Sequence, residues 1–134
     1  MTPPLVTALY AGLCGLLALA LAVRVSLHRS KWGVDLGDSG NPELFRAIRV
    51  HNNNVESTAL VLVVLALDEM LGAPAPAVHV MGAGLLAGRV LHAQGLSKTA
   101  GRSFGRVAGQ LLTWLAMAAA SFYAVYLFAI GVGP

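Results

Sequence analysis

Charge is scarce in this chain of 134 residues: 11% are charged, six acids against nine Lys and Arg. Ordinary soluble domains carry about 25%. Hydrophobic residues make up 57%, more apolar surface than a soluble domain this small can hide, so lipid is the expected solvent. Cysteine is nearly absent too. The single Cys14 lies in an apolar run; it excludes an intrachain disulfide and a cysteine metal site, and it reads as a small buried hydrophobe. The sequence also lacks a close-spaced His, Cys and carboxylate set for a metal. It has no Gly-rich phosphate loop following a strand, no strand alternation and no internal repeat. The formal charge of +3 does not indicate nucleic acid, because the basic residues form no solvated patch.

What is present is four long apolar segments. A transmembrane helix needs about 20 mostly apolar residues. Candidates run over residues 4–27, 43–71, 77–96 and 103–130. A polar segment at 28–42, the turn Gly72-Ala73-Pro74-Ala75-Pro76 and a short basic loop at 97–101 separate them. The expected fold is an all-α, integral membrane four-helix bundle in a single domain. The first segment does not read as a cleaved signal peptide, because Met1 to Cys14 contain no Lys or Arg; Arg24, Arg29 and Lys31 come after the apolar stretch. All nine Lys and Arg lie in or nearest to the 28–42 and 97–101 loops, whereas Asp68 and Glu69 adjoin the 72–76 turn. The positive-inside rule then places the two basic loops in the cytoplasm and both termini on the extracytoplasmic side.

Topology alone accounts for Arg24, Arg29, Lys31 and Lys98, but not for Glu56 and Arg89. If helix 2 enters the hydrocarbon near Ile48 and helix 3 leaves it near Leu96, the two sit about 12 and about 10 Å deep from the same face. An unpaired charge there costs at least about 2.5 kcal/mol, so an ion pair between Glu56 and Arg89 is expected, within or between subunits. Arg46, Arg49, Asn53 and Glu56 follow helical spacing along one stripe, and Asn52 borders it. His92 shares the face of Arg89, and Arg102, Arg106 and Gln110 recur every fourth residue. Stripes of this kind should face one another rather than lipid. They predict a polar, Arg-rich cleft open to the cytoplasm. Arginine grips carboxylates in a fork and stays charged, which suits an anionic ligand and would favour a thiolate. Spacing alone leaves a second reading equally open, in which the stripes only hold helices together. His28 and His79 read as solvated, and His51 as lying on another face. Gly82, Gly84 and Gly88 read as points of close helix packing.

The run Arg46-Ala-Ile-Arg49-Val-His51-Asn52-Asn53-Asn54-Val-Glu56 resembles the signature of the MAPEG superfamily, the membrane-associated proteins in eicosanoid and glutathione metabolism. In that pattern an Arg is followed four residues on by Asn and three further by Glu, matched here by Arg49, Asn53 and Glu56. Gly88-Arg89-Val-Leu-His92 resembles the family's helix 3 pattern, and Arg102 and Arg106 fall where its helix 4 opens with arginines. The similarity covers nearly the whole chain and is greatest to the small bacterial inner-membrane branch.

The resemblance implies a homotrimer with glutathione as cofactor, bound between subunits in a cytoplasm-facing cleft, and a lipophilic substrate entering from the membrane lipids. It implies that Arg106 stabilises the thiolate. Arg49, Asn53, Glu56, Arg89 and His92 would hold or frame the tripeptide, with Arg102 and Gln110 completing the set. Gln110 stands where several eukaryotic members carry tyrosine, Gln94 and Leu96 occupy another tyrosine stretch, and Ala59 replaces a common proline. Tyr10, Tyr123 and Tyr126 all lie toward the outer side. Arg106 is therefore the expected activator. Three functions remain open on these residues: a glutathione-dependent transferase or peroxidase, a non-enzymatic binder of lipids or amphiphiles, and a structural subunit.

Overall fold

The computed structural model describes residues 3–131, which form four helices: α1 Leu5–Trp32, α2 Pro42–Met70, α3 Ala75–Lys98 and α4 Phe104–Ala129. Two of the helix starts have a local cause. The Asn41 side chain caps α2 by accepting from the backbone N–H groups of Glu43 and Leu44 at 2.9 and 3.0 Å, and Pro42 then opens the first turn. Ser103 caps α4 through the N–H of Arg106 at 3.3 Å. Helix α1 follows Pro4, which offers no side-chain cap. Its cap comes from the far end of α2, where the Glu69 carboxylate accepts from Val6 N, Thr7 N and Thr7 Oγ1 at 2.8, 2.7 and 2.7 Å. An acid there also opposes the positive end of the helix dipole.

Helix α1 runs to Trp32, past the end at residue 27 read from the sequence. Charge does not terminate a helix. The basic residues Arg29 and Lys31 favour its C-terminal turn, and the helix stops where Gly33 adopts the left-handed conformation, φ 60°.

Helix α1 packs on α2 and α3, and α4 packs on α3 and α2; α1 and α4 do not meet among the described residues. Between them lie three small apolar layers. The first joins Leu65, Ala73, Val78, Met81 and Ala120; the second Cys14, Val61, Leu85 and Ala116; the third Leu21, Val50 and Ala93. Cys14 is buried in the second layer. Asp68 is fully buried as well, with neither carboxylate oxygen hydrogen-bonded among the described residues.

Glycine allows α3 and α4 to approach backbone to backbone. A Cβ at Gly95 would strike the backbone N of Arg106, and one at Gly109 would strike the backbone N of His92. On the other side of α3, Gly82 receives the ring of Tyr10, whose hydroxyl is 3.0 Å from Nδ1 of His79.

The outer surface is apolar. Leu5, Leu16, Leu19 and Leu27 of α1 and Leu115, Phe122, Val125 and Phe128 of α4 are all more than half exposed. Among the described residues, α1 and α4 are the two helices long and apolar enough to cross a membrane by composition alone. The 29 residues of α2 and 24 of α3 would reach across a hydrocarbon core of about 30 Å at about 1.5 Å per residue, but their composition is diluted by the polar residues that build the site.

Candidate anion-binding cleft

A cleft of ≈ 790 Å³ opens between the first halves of α2 and α4, floored by the second half of α3. Small-molecule sites are commonly about 300–1,000 Å³. Its polar lining is cationic: Arg46 and Arg49 from α2, Arg102 from the α3–α4 loop and Arg106 from the first turn of α4. Asn53 and Gln110 add carboxamides, and His92 lies on the floor. Phe45, Leu96, Val107, Leu111 and Trp114 from the same helices supply its apolar lining. Phe45, Leu111 and Trp114 are each half exposed or more. No Asp or Glu lines the cleft among the described residues.

Helical periodicity explains this grouping. The buried stripe of α2 is Leu44, Ala47, Val50, Asn54, Thr58, Val61 and Leu65, spaced three or four residues apart. Arg46, Arg49 and Asn53 each precede a member of that stripe by one residue, so they lie on its flank and look into the cleft. Glu56 points nearly the same way as Arg49, seven residues before it, but lies about 10 Å further along the axis, past the residues that line the cleft. It is exposed on the outer surface of the chain.

The ion pair expected between Glu56 and Arg89 is therefore not formed within the chain. Arg89 is fully buried. Its Nη2 donates to Oδ1 of Asn53 at 2.6 Å, its Nη1 to Oγ1 of Thr113 at 3.3 Å, and its Nε to Oδ1 of Asn54 at 3.5 Å. A fully enclosed guanidinium also offers no surface to an acid of another subunit. Amide and hydroxyl oxygens take the place of the carboxylate, and Asn53 connects the buried cation to the cleft wall.

Arg106 holds the rim. Its Nη1 donates to the carbonyl oxygens of Ala100 and Gly101 at 3.0 and 3.3 Å, tying the α3–α4 loop to the first turn of α4. Its own carbonyl oxygen is 3.1 Å from Nδ1 of His92. This short span depends on the bare glycine contacts between α3 and α4.

Of the residues singled out by sequence, Arg49, Asn53, His92, Arg102, Arg106 and Gln110 come together around the cleft. Glu56 and Arg89 do not line it; one is outside the bundle and the other beneath the floor. Sequence reasoning left Arg46 out of the candidate set although it shares the stripe, and it missed the apolar lining of the cleft and the roles of Asn54 and Thr113. The spacing of the buried stripe on α2 carried the signal for Asn54. No local pattern marks Thr113, whose neighbours come from another helix. Four residues read as serving only topology or solvation have hydrogen-bond partners: Arg24 donates from Nη1 to Oγ of Ser97 at 2.5 Å, Arg29 from Nη1 to the carbonyl oxygen of Val34 at 3.4 Å, Nδ1 of His28 is 2.8 Å from the carbonyl oxygen of Arg24, and His79 meets Tyr10.

The sequence pattern of the MAPEG family matches residues 7–126. The inner membrane protein YecN of Escherichia coli is 39% identical to this chain over 113 residues, covering 84% of the chain and 85% of that protein. The YecN protein of a second Escherichia coli strain matches to the same extent.

Proposed function

The chain belongs to the MAPEG family, and from that premise we propose that it is a glutathione-dependent transferase or peroxidase acting on lipophilic electrophiles. It is a membrane protein of that family, similar to an inner membrane protein. One observation carries the reading: four arginines and two carboxamides share with apolar side chains the lining of a cleft that contains no acid among the described residues. Arg46, Arg49 and Arg102 suit the two carboxylates of the tripeptide, which guanidinium groups hold in forks. Asn53 and Gln110 suit its peptide groups. Bound there, the thiol supplies the nucleophile, and Arg106 in the first turn of α4 favours its ionised form, as cations and helix N-termini do. Phe45, Leu111 and Trp114 offer an apolar electrophile a path from lipid.

The assembly is part of the proposal. All four helices span the membrane, with both termini extracytoplasmic. Glu56 is exposed on the same helix as exposed Val55, Leu60 and Val63. A carboxylate left against lipid costs at least about 2.5 kcal/mol. A homotrimer covers that face and brings Glu56 to a subunit boundary, one turn along α2 from Asn53, where the ammonium of the tripeptide needs an anion.

Titration calorimetry of the purified protein in detergent with glutathione tests the reading. Saturable binding that is lost in Arg49→Leu is expected; no binding overturns it. A second reading, a non-catalytic binder of anionic amphiphiles, is favoured by Gln110, which cannot assist a thiol as a phenol could. Tight binding of a fluorescent fatty acid that glutathione does not displace would select it.

A further inference from the structure

We propose that His92 is the general base of the cleft, its Nε2 accepting the proton of the bound thiol; this rests on the glutathione reading above. The geometry fixes which nitrogen is available. Nδ1 lies 3.1 Å from the carbonyl oxygen of Arg106. A carbonyl oxygen only accepts, so Nδ1 carries the hydrogen and the neutral ring presents Nε2 with a free lone pair. Nε2 makes no hydrogen bond among the described residues, yet it is not a sealed, unpartnered atom, and the ring borders the cleft.

Elimination leads to the same residue. The other polar groups lining the cleft are Arg46, Arg49, Arg102, Arg106, Asn53 and Gln110. Guanidinium groups stay protonated and carboxamides do not accept protons near neutrality. Among the described residues, His92 is the one side chain lining the cleft of the single chain that can take up a proton there; Glu56, brought near in the proposed trimer, is engaged by the ammonium of the tripeptide. It is 4% exposed and is held by the α3–α4 contact, since Gly109 lies against its backbone. One residue thus serves both ends of the step: the Arg106 carbonyl orients the base, and the Arg106 guanidinium borders the space where the anion forms.

The step balances without a co-reactant. The Nε2 lone pair makes the new N–H bond while the sulfur keeps the electron pair of the S–H bond. Once the carbon–sulfur bond has formed, Nε2 returns that proton to the leaving group or to the anion generated on the electrophile, and neutral imidazole is restored. The charged side chains that share the cleft with the ring are cationic, Arg46 and Arg49 from α2, Arg102 from the α3–α4 loop and Arg106 from α4, and Arg89 lies one turn earlier on α3; Arg24 of α1 is engaged by Ser97. They oppose an imidazolium by itself. The proton therefore moves onto His92 only as the thiolate appears beside it, and the total charge of the cleft is unchanged.

That conservation of charge gives the test. Glutathione is titrated into the wild-type protein in detergent at neutral pH, in two buffers of different ionisation enthalpy, while ultraviolet thiolate absorbance is recorded. The expected result is a thiolate band on binding with nearly no proton released to buffer. In His92→Gln, whose amide can still donate to the Arg106 carbonyl, binding should persist within a few fold and the band should be lost. A full proton released by the wild type, wild-type binding without a thiolate band, or an undiminished band in His92→Gln would each overturn the role of His92. Absence of glutathione binding by the wild type would instead overturn the functional reading beneath it. The wild-type proton count decides the matter even if the variant fails to fold.

Discussion

The guanidinium of Arg89 is joined to the carboxamide of Asn53 by a 2.6 Å hydrogen bond, linking a fully buried cation to the wall of the cleft. The bond orients the amide as well as satisfying the cation. With Oδ1 accepting from Arg89, the Nδ2 group of Asn53 is left as a donor for an anion in the cleft.

The two motif residues of α2 should therefore behave differently. Asn53→Ala removes the shortest hydrogen bond of a buried cation and should cost about 1.5–3 kcal/mol. Glu56→Gln, at an exposed site, should change the stability of a detergent-solubilised chain by about 0.5 kcal/mol or less. The double variant should be additive, since the two side chains share no partner. Thermal unfolding in detergent measures all three, and strong coupling would mean that Glu56 reaches the Arg89 network after all.

The α3–α4 contact should tolerate no added methyl. In Gly109→Ala the new Cβ would meet the backbone of His92 and, at 2.6 Å, the carbonyl oxygen of Gly88. Backbone cannot step aside as a side chain can, so a loss of about 1–3 kcal/mol is expected. A methyl added at Gly12 of α1 would have nothing within 4 Å of it, and Gly12→Ala should raise stability by about 0.5–1 kcal/mol. Unfolding midpoints of the two variants should move in opposite directions.

The start of α1 depends on an acid more than sixty residues away in sequence. Glu69→Ala removes the acceptor for Val6 N, Thr7 N and the Thr7 hydroxyl and should cost about 0.5–2 kcal/mol, as loss of an N-cap does. Hydrogen exchange should localise the loosening to the first turn of α1; protection unchanged at Val6 and Thr7 would refute the cap.

Arg106 should act on the thiol rather than on binding. With Arg46, Arg49 and Arg102 still present, Arg106→Leu should keep most glutathione affinity. The bound thiol should return toward the free cysteine value of about 8.5 and turnover should be lost. Spectroscopic titration of the bound thiolate checks this. An equal fall in binding and ionisation would make Arg106 a carboxylate ligand instead.

The proposed topology is checked independently of chemistry. A reporter active only in the cytoplasm, fused after Pro134, should stay silent, and the same reporter inserted into the 97–101 loop should give signal. The reverse pattern would invert the orientation of the bundle.

Local physics made much of this protein legible from its residues in order. Apolar length gave four helices, Asn41 and Ser103 start two of them as their side-chain chemistry requires, and the Arg and His spacing identified the residues that collect around the cleft. The motif resemblance named the family because it lies in contiguous residues. Local sequence could not decide how far along a polar stripe the cleft extends. Arg46, Arg49, Asn53 and Glu56 share one helical face, yet the cleft built with α3 and α4 ends before Glu56 and leaves it outside. Tertiary structure also decided that Arg89 is satisfied by Asn53, Asn54 and Thr113 in place of an acid, that Glu69 caps a distant helix, and that the Arg106 carbonyl meets His92. Each of these contacts depends on the angle and separation of two helices, which glycine contacts and side-chain packing set and no single stretch of sequence contains.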